Sequence, residues 1–260
     1  MKTTSSLGRL RSWVARRGGS PPEKPVEEPK VNPPIDPRRR GFDVYLGYFN
    51  KYAKIDNSWT IAEFGVGIGG FARFYKERCQ KVIGIDIEDY SAHHPGIEFV
   101  LSDGLSIALP DGSVDMVVSH SVLEHVGDLE ASISEINRIT RPGGLFYLTV
   151  NPLYYSSFGA HIYENKKRVE NWEHLDPSSV HYEIENPIPG AATKGHNLNK
   201  LTSSKLLTAV GKQPWELMRY ELAFESKPIP SFVDQERYNR FDLLTKEFRL
   251  IGRKYENYPT

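Results

Sequence analysis

Between residues 59 and 150, short apolar runs alternate with segments of helical periodicity, and this alternation restricts the fold more than any other feature. Runs such as 82–85 and 116–119 are largely apolar at consecutive positions, which is typical of strands covered on both faces. Strands that alternate with helices form βαβ units, and right-handed crossovers then produce a doubly wound parallel sheet. Ligands of such sheets bind beyond the carboxyl ends of the strands, so the sequence predicts a site at that edge.

The pattern predicts a helix from Gly41 onward and then seven strands. Their sequences are WTIAEF, KVIGID, IEFVLSD, VDMVVSH, LFYLTVN, WELMRYELAF and KEFRLIGRK. The last two strands should pair as an antiparallel hairpin at one edge of the sheet. The predicted fold class is therefore α/β, with a doubly wound, Rossmann-like sheet of seven strands that is mostly parallel and has a C-terminal antiparallel hairpin.

Two segments stand outside this pattern. Residues 1–40 carry ten basic and four acidic residues, and residues 21–37 contain seven prolines. This composition predicts a disordered, Pro-rich basic arm ahead of a domain at 41–260.

Residues 152–200 show no clean periodicity but are rich in aromatic residues and histidine. A connection this long is typical of a lid, so we predict a long lid insertion after strand five that binds the acceptor.

Charge and composition restrict the partners. Residues 41–260 carry 23 basic and 29 acidic residues, which argues against nucleic acid as the main substrate. No apolar run approaches the ~20 residues of a membrane span, so no transmembrane segment is predicted. The single cysteine, Cys79, excludes an intramolecular disulfide and agrees with a predicted cytoplasmic location. The basic arm leaves contact with a membrane surface, or a transit peptide, as open alternatives.

A glycine-rich loop, AEFGVGIGG, follows the first predicted strand. The spacing Gly65-x-Gly67-x-x-Gly70 satisfies the dinucleotide-binding fingerprint, and Asp86 follows Gly65 by 21 residues, at the end of strand two. An acidic residue there would hold ribose hydroxyls. These residues alone therefore leave an NAD(P)-dependent oxidoreductase open.

Other residues near the loop favour a different nucleotide. Glu63 precedes the first glycine by two positions, where it would repel a pyrophosphate but suit a ligand that carries an ammonium and a sulfonium. Asp103 follows strand three and offers an acceptor for an exocyclic amine. A non-catalytic cofactor-binding or scaffold protein is a further alternative.

Four motifs in order resemble the class I S-adenosylmethionine-dependent methyltransferases of the type 11 group. They are EFGVGIGG, GIDIE, LSDG and SHSVLEHVGD…EINRITRPGG, and the resemblance covers about residues 41–150. The resemblance implies S-adenosyl-L-methionine as cofactor and an enzymatic methyl transfer. It also implies a set of cofactor-binding residues: Glu63, Gly65, Gly67, Asp86, Ile87, Asp103, Gly104, Leu105 and Ser119.

The resemblance assigns roles within this set. Glu63, Gly65 and Gly67 would line the methionyl part of the cofactor, Asp86 would bind both ribose hydroxyls, and Asp103 would bind the adenine amine. In the same comparison, Gly104 and Leu105 would lie beside the adenine ring.

The acceptor and its base are read from less specific signals. An acceptor hydroxyl must lose a proton, and histidine is a suitable base; His120 at the tip of strand four and His161 in the lid are the predicted catalytic residues. Relatives that methylate polyprenylated quinone precursors bind magnesium through E-x-x-E-H, but Ser121 replaces the first glutamate here, so no metal is predicted. Aromatic residues with polar rims suit a small hydroxylated acceptor or a glycan, methylated on oxygen.

Overall fold

A computed structural model describes residues 36–182 and 198–257. Almost all of the predicted arm at 1–40, and part of the predicted lid at 183–197, lie outside the described residues. Within the described ranges, every helix is too short or too polar to cross a bilayer.

Seven strands form one sheet. They are β1 (Thr60–Phe64), β2 (Lys81–Asp86), β3 (Glu98–Leu101), β4 (Val114–His120), β5 (Thr140–Val150), β8 (Trp215–Phe224) and β9 (Thr245–Lys254). Two short strands, β6 (Tyr163–Glu164) and β7 (Lys167–Arg168), pair separately as an antiparallel hairpin.

The sheet order is β3-β2-β1-β4-β5-β9-β8. The strands from β3 to β5 pair in parallel, whereas β9 is antiparallel to both β5 and β8. This topology confirms the predicted fold class, including the antiparallel pair at the C-terminal edge. The order reverses between β1 and β4, which places the switch point, and hence the expected ligand site, beside the glycine loop.

Five helices flank the sheet or its connections: α1 (Pro37–Phe49), α2 (Ala72–Lys76), α3 (Leu129–Ile139), α4 (Ser203–Gly211) and α5 (Arg240–Leu244). Two begin at caps visible in the sequence, since Asp128 accepts from the Ala131 amide at 3.0 Å and Thr202 from the Lys205 amide at 3.2 Å. Helix α1 begins at Pro37, four residues before Gly41, where the domain was expected to begin.

Consecutive apolar residues of the central strands pack on opposite faces of the sheet. In β4, Met116 and Val118 pack with α1 and α2, whereas Val117 packs with α3 and α4. Each face of the sheet therefore has its own hydrophobic cluster. Because helices cover both faces, the central strands do not alternate apolar with polar residues.

The segment after β5 is more ordered than predicted. Trp172 is fully buried, and its indole Nε1 donates to the carbonyl oxygens of Tyr155 at 2.9 Å and Leu243 at 3.2 Å. A third hydrophobic cluster joins this segment to the connection between β8 and β9: Tyr154, Trp172, Leu175, Val233, Tyr238 and Leu243. The described part of the predicted lid therefore has a core of its own, a contact between distant segments that periodicity does not reveal.

Candidate functional site

The glycine loop turns sharply at the carboxyl end of β1. Gly65 and Gly67 have φ angles of +77° and +48°, in the left-handed region that favours glycine. The amides of Gly65 and Val66 both donate to the carbonyl oxygen of Ile85, at 2.8 and 3.1 Å. A Cβ atom on Gly65 would lie 2.2 Å from the Val122 side chain, so only glycine allows the loop to approach the segment after β4 this closely.

Glu63 is buried beneath this loop. Its Oε1 accepts a hydrogen bond from the Phe71 amide at 2.9 Å, while its buried Oε2 accepts none from the described residues. Burial raises the pKa of Glu63 to about 8, although the amides of Phe71 and Ala72 oppose the shift. A buried carboxylate with one unused oxygen is a ready acceptor for a cationic group.

Two adjoining cavities open at the carboxyl ends of the strands. The main cavity, of about 440 Å³, is lined by seven of the nine predicted cofactor residues: Gly65, Gly67, Asp86, Ile87, Asp103, Gly104 and Leu105. The minor cavity, of about 230 Å³, is lined by Glu63 and His120 and shares Gly65 and Gly67 with the main one. Ser119, the ninth predicted residue, is fully buried in the sheet.

The peptide groups of Gly67 are held on both sides. Its amide donates to Asp86 Oδ2 at 2.8 Å, and its carbonyl oxygen lies 2.6 Å from Nε2 of the buried His94. The carbonyl oxygen can only accept, so His94 carries its proton on Nε2. Asp103 bonds locally, accepting from the Leu105 amide at 2.9 Å through Oδ1. Sequence reasoning missed His94, which lies in a loop with no periodic signal.

His120 lies among aromatic rings at the end of β4. Its Nε2 is 3.0 Å from the Tyr75 hydroxyl and its Nδ1 is 3.1 Å from Thr149 Oγ1, with the Tyr45 ring 4.7 Å away between centroids. Desolvation lowers the pKa of His120 to about 3. So weak a base suits a positioning contact better than proton abstraction at neutral pH, and its predicted catalytic role stays a prediction.

The structure places His161 beside Glu124 and His125, the two positions of the E-x-x-E-H pattern that this sequence retains. Glu124, His125 and His161 each present one potential ligand atom, and these atoms all lie within 4.8 Å of one another. Glu124 is almost fully buried, and desolvation raises its pKa to about 8. His125 lines the main cavity, so this group, the Glu124 cluster, borders the candidate site.

Asn199 anchors the loop that carries this cluster. Its side-chain amide donates to the carbonyl oxygens of Leu123 at 2.7 Å and Val126 at 3.1 Å, and its backbone amide donates to Glu124 O at 2.9 Å. Sequence reasoning did not single out Asn199, because these contacts span more than 70 residues and leave no local pattern.

Several aromatic and histidine residues of the predicted lid are structural. Tyr154, Trp172, His174 and His181 are buried, and His174 Nε2 lies 2.8 Å from the Tyr154 carbonyl oxygen. Tyr154 packs against His174 and shares a hydrophobic cluster with Trp172, and the His181 imidazole lies 3.3 Å from Glu164 Oε1. These buried side chains therefore do not supply the acceptor-binding face expected of them.

The sequence was compared with known families and proteins. A sequence model described as "Methyltransferase domain" matches residues 62–148. This interval runs from β1 to β5 and contains the glycine loop, both candidate ribose and adenine aspartates, and the Glu124 cluster apart from His161. The match coincides with the part of the sheet that builds the site.

Curated relatives match over a similar interval. A methyltransferase from Mycobacterium sp. (strain JLS) is 34% identical over 107 residues, which is 39% of this chain and 42% of that protein. The malonyl-[acyl-carrier protein] O-methyltransferase of Serratia marcescens is 32% identical over 94 residues, 33% of this chain and 35% of that protein. The chain thus spans about two fifths or less of these relatives' lengths.

Solved structures share the fold over a longer range. A Methanosarcina mazei protein described as an S-adenosylmethionine-dependent methyltransferase superposes with a TM-score of 0.54 at 18% identity, covering 81% of this chain and 98% of the other. The likeness at this identity concerns the fold. The family match over residues 62–148 confirms the resemblance drawn from the four motifs, and this part of the chain is similar to a methyltransferase domain.

Proposed function

We propose that this protein is an S-adenosylmethionine-dependent methyltransferase that methylates an oxygen of a small hydroxylated acceptor or a glycan. One observation carries the proposal: three acidic residues, Glu63, Asp86 and Asp103, follow or end three neighbouring strands around a bare glycine loop. S-adenosylmethionine presents matching groups, namely an ammonium and a sulfonium, a ribose diol and an adenine amine. A dinucleotide would instead bring a pyrophosphate towards Glu63.

Two features of the site fit this cofactor: a buried carboxyl oxygen of Glu63 and the main cavity. The buried Glu63 Oε2, without a partner among the described residues, would receive the methionyl ammonium. The main cavity, lined by Gly65 and Val122 among others, would receive the adenosine between Asp86 and Asp103. Gly104 and Leu105 would then flank the adenine ring.

When bound, the cofactor would supply an electrophilic methyl group: transfer would form an O–CH3 bond and break the S–CH3 bond, sulfur would keep the electron pair, and the acceptor would give up its proton. The protein's share is mainly alignment, which can contribute roughly 7–11 kcal/mol. In this proposal His161 takes the acceptor's proton, and His120 positions the acceptor from the minor cavity.

A cleft that combines an aromatic ring with hydrogen-bonding side chains supports the proposed acceptor class. This cleft, of about 370 Å³, lies between α1 and the ends of β5 and β9 and is lined by Arg40, Tyr45, Asn151 and Arg249, among others. Tyr45 also touches His120, so the cleft and the minor cavity meet at one pair of rings. An aromatic face with several hydrogen-bonding groups suits a hydroxylated molecule or a sugar.

The relatives' names leave the acceptor open. They include an O-methyltransferase from Serratia marcescens and a sterol 24-C-methyltransferase from Gibberella zeae. The choice of an oxygen acceptor therefore rests on the cleft, and a cytoplasmic location stays a prediction from the sequence.

Calorimetry with the full chain tests the function directly. S-adenosylhomocysteine is expected to bind at one site per chain, while NADH and NADPH are expected to give no heat of binding at the same concentrations. Methyl transfer from labelled cofactor is then measured on panels of phenols, polyols and oligosaccharides. Absent binding of S-adenosylhomocysteine would overturn the proposal, and binding without transfer to any acceptor would favour the non-catalytic alternative.

The affinity for cofactor should rise with pH below about 8. Glu63 retains a proton up to about pH 8, and pairing with an ammonium requires that proton to leave. Binding then releases up to one proton, so affinity should increase by up to about tenfold per pH unit. In the free protein, the raised pKa of Glu63 also makes the stability of the fold depend on pH. Its contribution to stability is fully present below pH 4.5, the ordinary pKa of a glutamate, and is lost as the pH rises through about 8.

Calorimetry in buffers of different ionisation enthalpy counts the released proton. Glu63→Gln should bind more weakly and release none, because the amide does not titrate. A Glu63→Gln variant that keeps the full pH dependence would place the titrating group elsewhere.

A further inference from the structure

We propose that Glu124, His125 and His161 bind one divalent transition-metal ion, with Zn²⁺ the best match. One carboxylate oxygen and two imidazole nitrogens converge within 4.8 Å of one another. They come from two separate segments, since Glu124 and His125 follow β4 whereas His161 follows β5. The third ligand is therefore visible only in the fold.

The donor set decides the kind of ion. Two imidazoles and one carboxylate with open positions are typical of catalytic zinc and non-haem iron, whereas Mg²⁺ and Ca²⁺ prefer oxygen ligands. Metal–ligand distances of about 2.0–2.2 Å imply ligand atoms roughly 3–4 Å apart around one ion. The observed limit of 4.8 Å needs a contraction of about 1 Å, within reach of side-chain rotation.

Burial of Glu124 points to a missing cation. Its side chain is 1% exposed, and in the described ranges neither carboxylate oxygen accepts a hydrogen bond from another residue. Burying a carboxyl group whose oxygens have no hydrogen-bonding partner is costly, and a bound cation would supply that partner. The loop is also held in place by Asn199, which bonds three of its carbonyl groups, so the carboxylate is positioned before any ion arrives.

The site borders the place where the proposed chemistry would occur. His125 lines the main cavity together with Gly65 and Asp86. An ion at this point could polarise an acceptor hydroxyl and ease loss of its proton, with His161 then a ligand rather than the base. That role rests on the proposed function, whereas metal binding itself does not.

Metal binding is measured on the full, tag-free chain after dialysis against a chelator. Titration with Zn²⁺ is expected to give one site per chain, and Mg²⁺ under the same conditions should bind at least about tenfold more weakly, as expected for imidazole ligands. Mutating a residue that only supports a metal ligand typically lowers metal affinity about 10–100-fold, and removing a ligand itself should cost at least as much. His161→Ala and Glu124→Gln should therefore each bind Zn²⁺ at least about tenfold more weakly. The matched control His93→Ala removes an exposed histidine and should bind like the wild type.

A second measurement covers the case in which a variant fails to fold. Co²⁺ added to the wild type should give the visible absorption of a four- or five-coordinate site, and mass spectrometry should count one ion per chain. No ion above background in the wild type, or Zn²⁺ affinity unchanged in folded His161→Ala, would overturn the site. Binding of S-adenosylhomocysteine in the same samples separates the two proposals, because either can fail while the other holds.

Discussion

Replacing Gly65 with alanine is expected to lower the affinity for S-adenosylhomocysteine at least about 30-fold. The left-handed φ of +77° costs a non-glycine residue of order 1–3 kcal/mol, and the new methyl group would meet Val122 Cγ2 at 2.2 Å. Overpacking of this kind typically costs a further 1–3 kcal/mol, so the sum begins at about 2 kcal/mol. A loop that shifts in the free variant to relieve this cost must regain its shape on binding, so the cost appears as lost affinity. The loop can escape only by moving away from Val122, and both lie on the walls of the two cavities.

Variants at two neighbouring glycines separate the effect of backbone strain from that of the steric clash with Val122. A Cβ on Gly69 meets no atom within 4 Å and its φ is ordinary, so Gly69→Ala should bind within about threefold of the wild type. Gly67 has a φ of +48° but its nearest contact is at 3.9 Å, so Gly67→Ala carries the strain alone and should fall between the other two. Calorimetry and thermal melting on all three variants check this order. Equal affinities for Gly65→Ala and Gly69→Ala would show that the loop is not held against Val122.

The sheet could be predicted because its signals are local. Strand β4 and strand β8 begin and end where their apolar patterns do, and the caps at Asp128 and Thr202 mark two helix starts. Errors arose where tertiary contacts overrode such patterns. The fifth strand was predicted to begin at Leu145, whereas β5 begins at Thr140 and includes residues 141–144; its pairing with β4 is irregular between Val114 and Met116.

The same distinction holds for the candidate site. The glycines and aspartates that line the main cavity directly follow strand ends, so their positions follow from the order of elements. His94 meets Gly67 across 27 residues, and His161 joins Glu124 from beyond β5. No periodicity or motif links such pairs, because their proximity results from how loops pack at the edge of the sheet.

Replacing Asp86 with alanine is expected to weaken binding of S-adenosylhomocysteine at least about 100-fold. Hydrogen bonds to a charged group are worth about 1.5–3 kcal/mol each, and the variant would lose those to both ribose hydroxyls. It would also free the Gly67 amide, which donates to Asp86 Oδ2 at 2.8 Å and fixes the glycine loop. Affinity is measured by calorimetry, with thermal melting as a check that the sheet remains folded.

Graded replacements show whether Asp86 acts on the ligand or only on the loop. Asp86→Asn keeps one acceptor oxygen, which can serve the Gly67 amide or a ribose hydroxyl but not both fully, so its affinity should lie between those of the wild type and Asp86→Ala. Asp89→Asn is the matched control, since Asp89 caps the nearby Ser91 amide at 2.9 Å and its replacement should leave binding unchanged.

S-adenosylhomocysteine lacking the 2′-hydroxyl completes a double-mutant cycle. If Asp86 binds the ribose, removing the hydroxyl and replacing Asp86 with alanine should together lose less binding free energy than the sum of the two separate losses. Fully additive losses would mean that Asp86 supports the loop without touching the ribose.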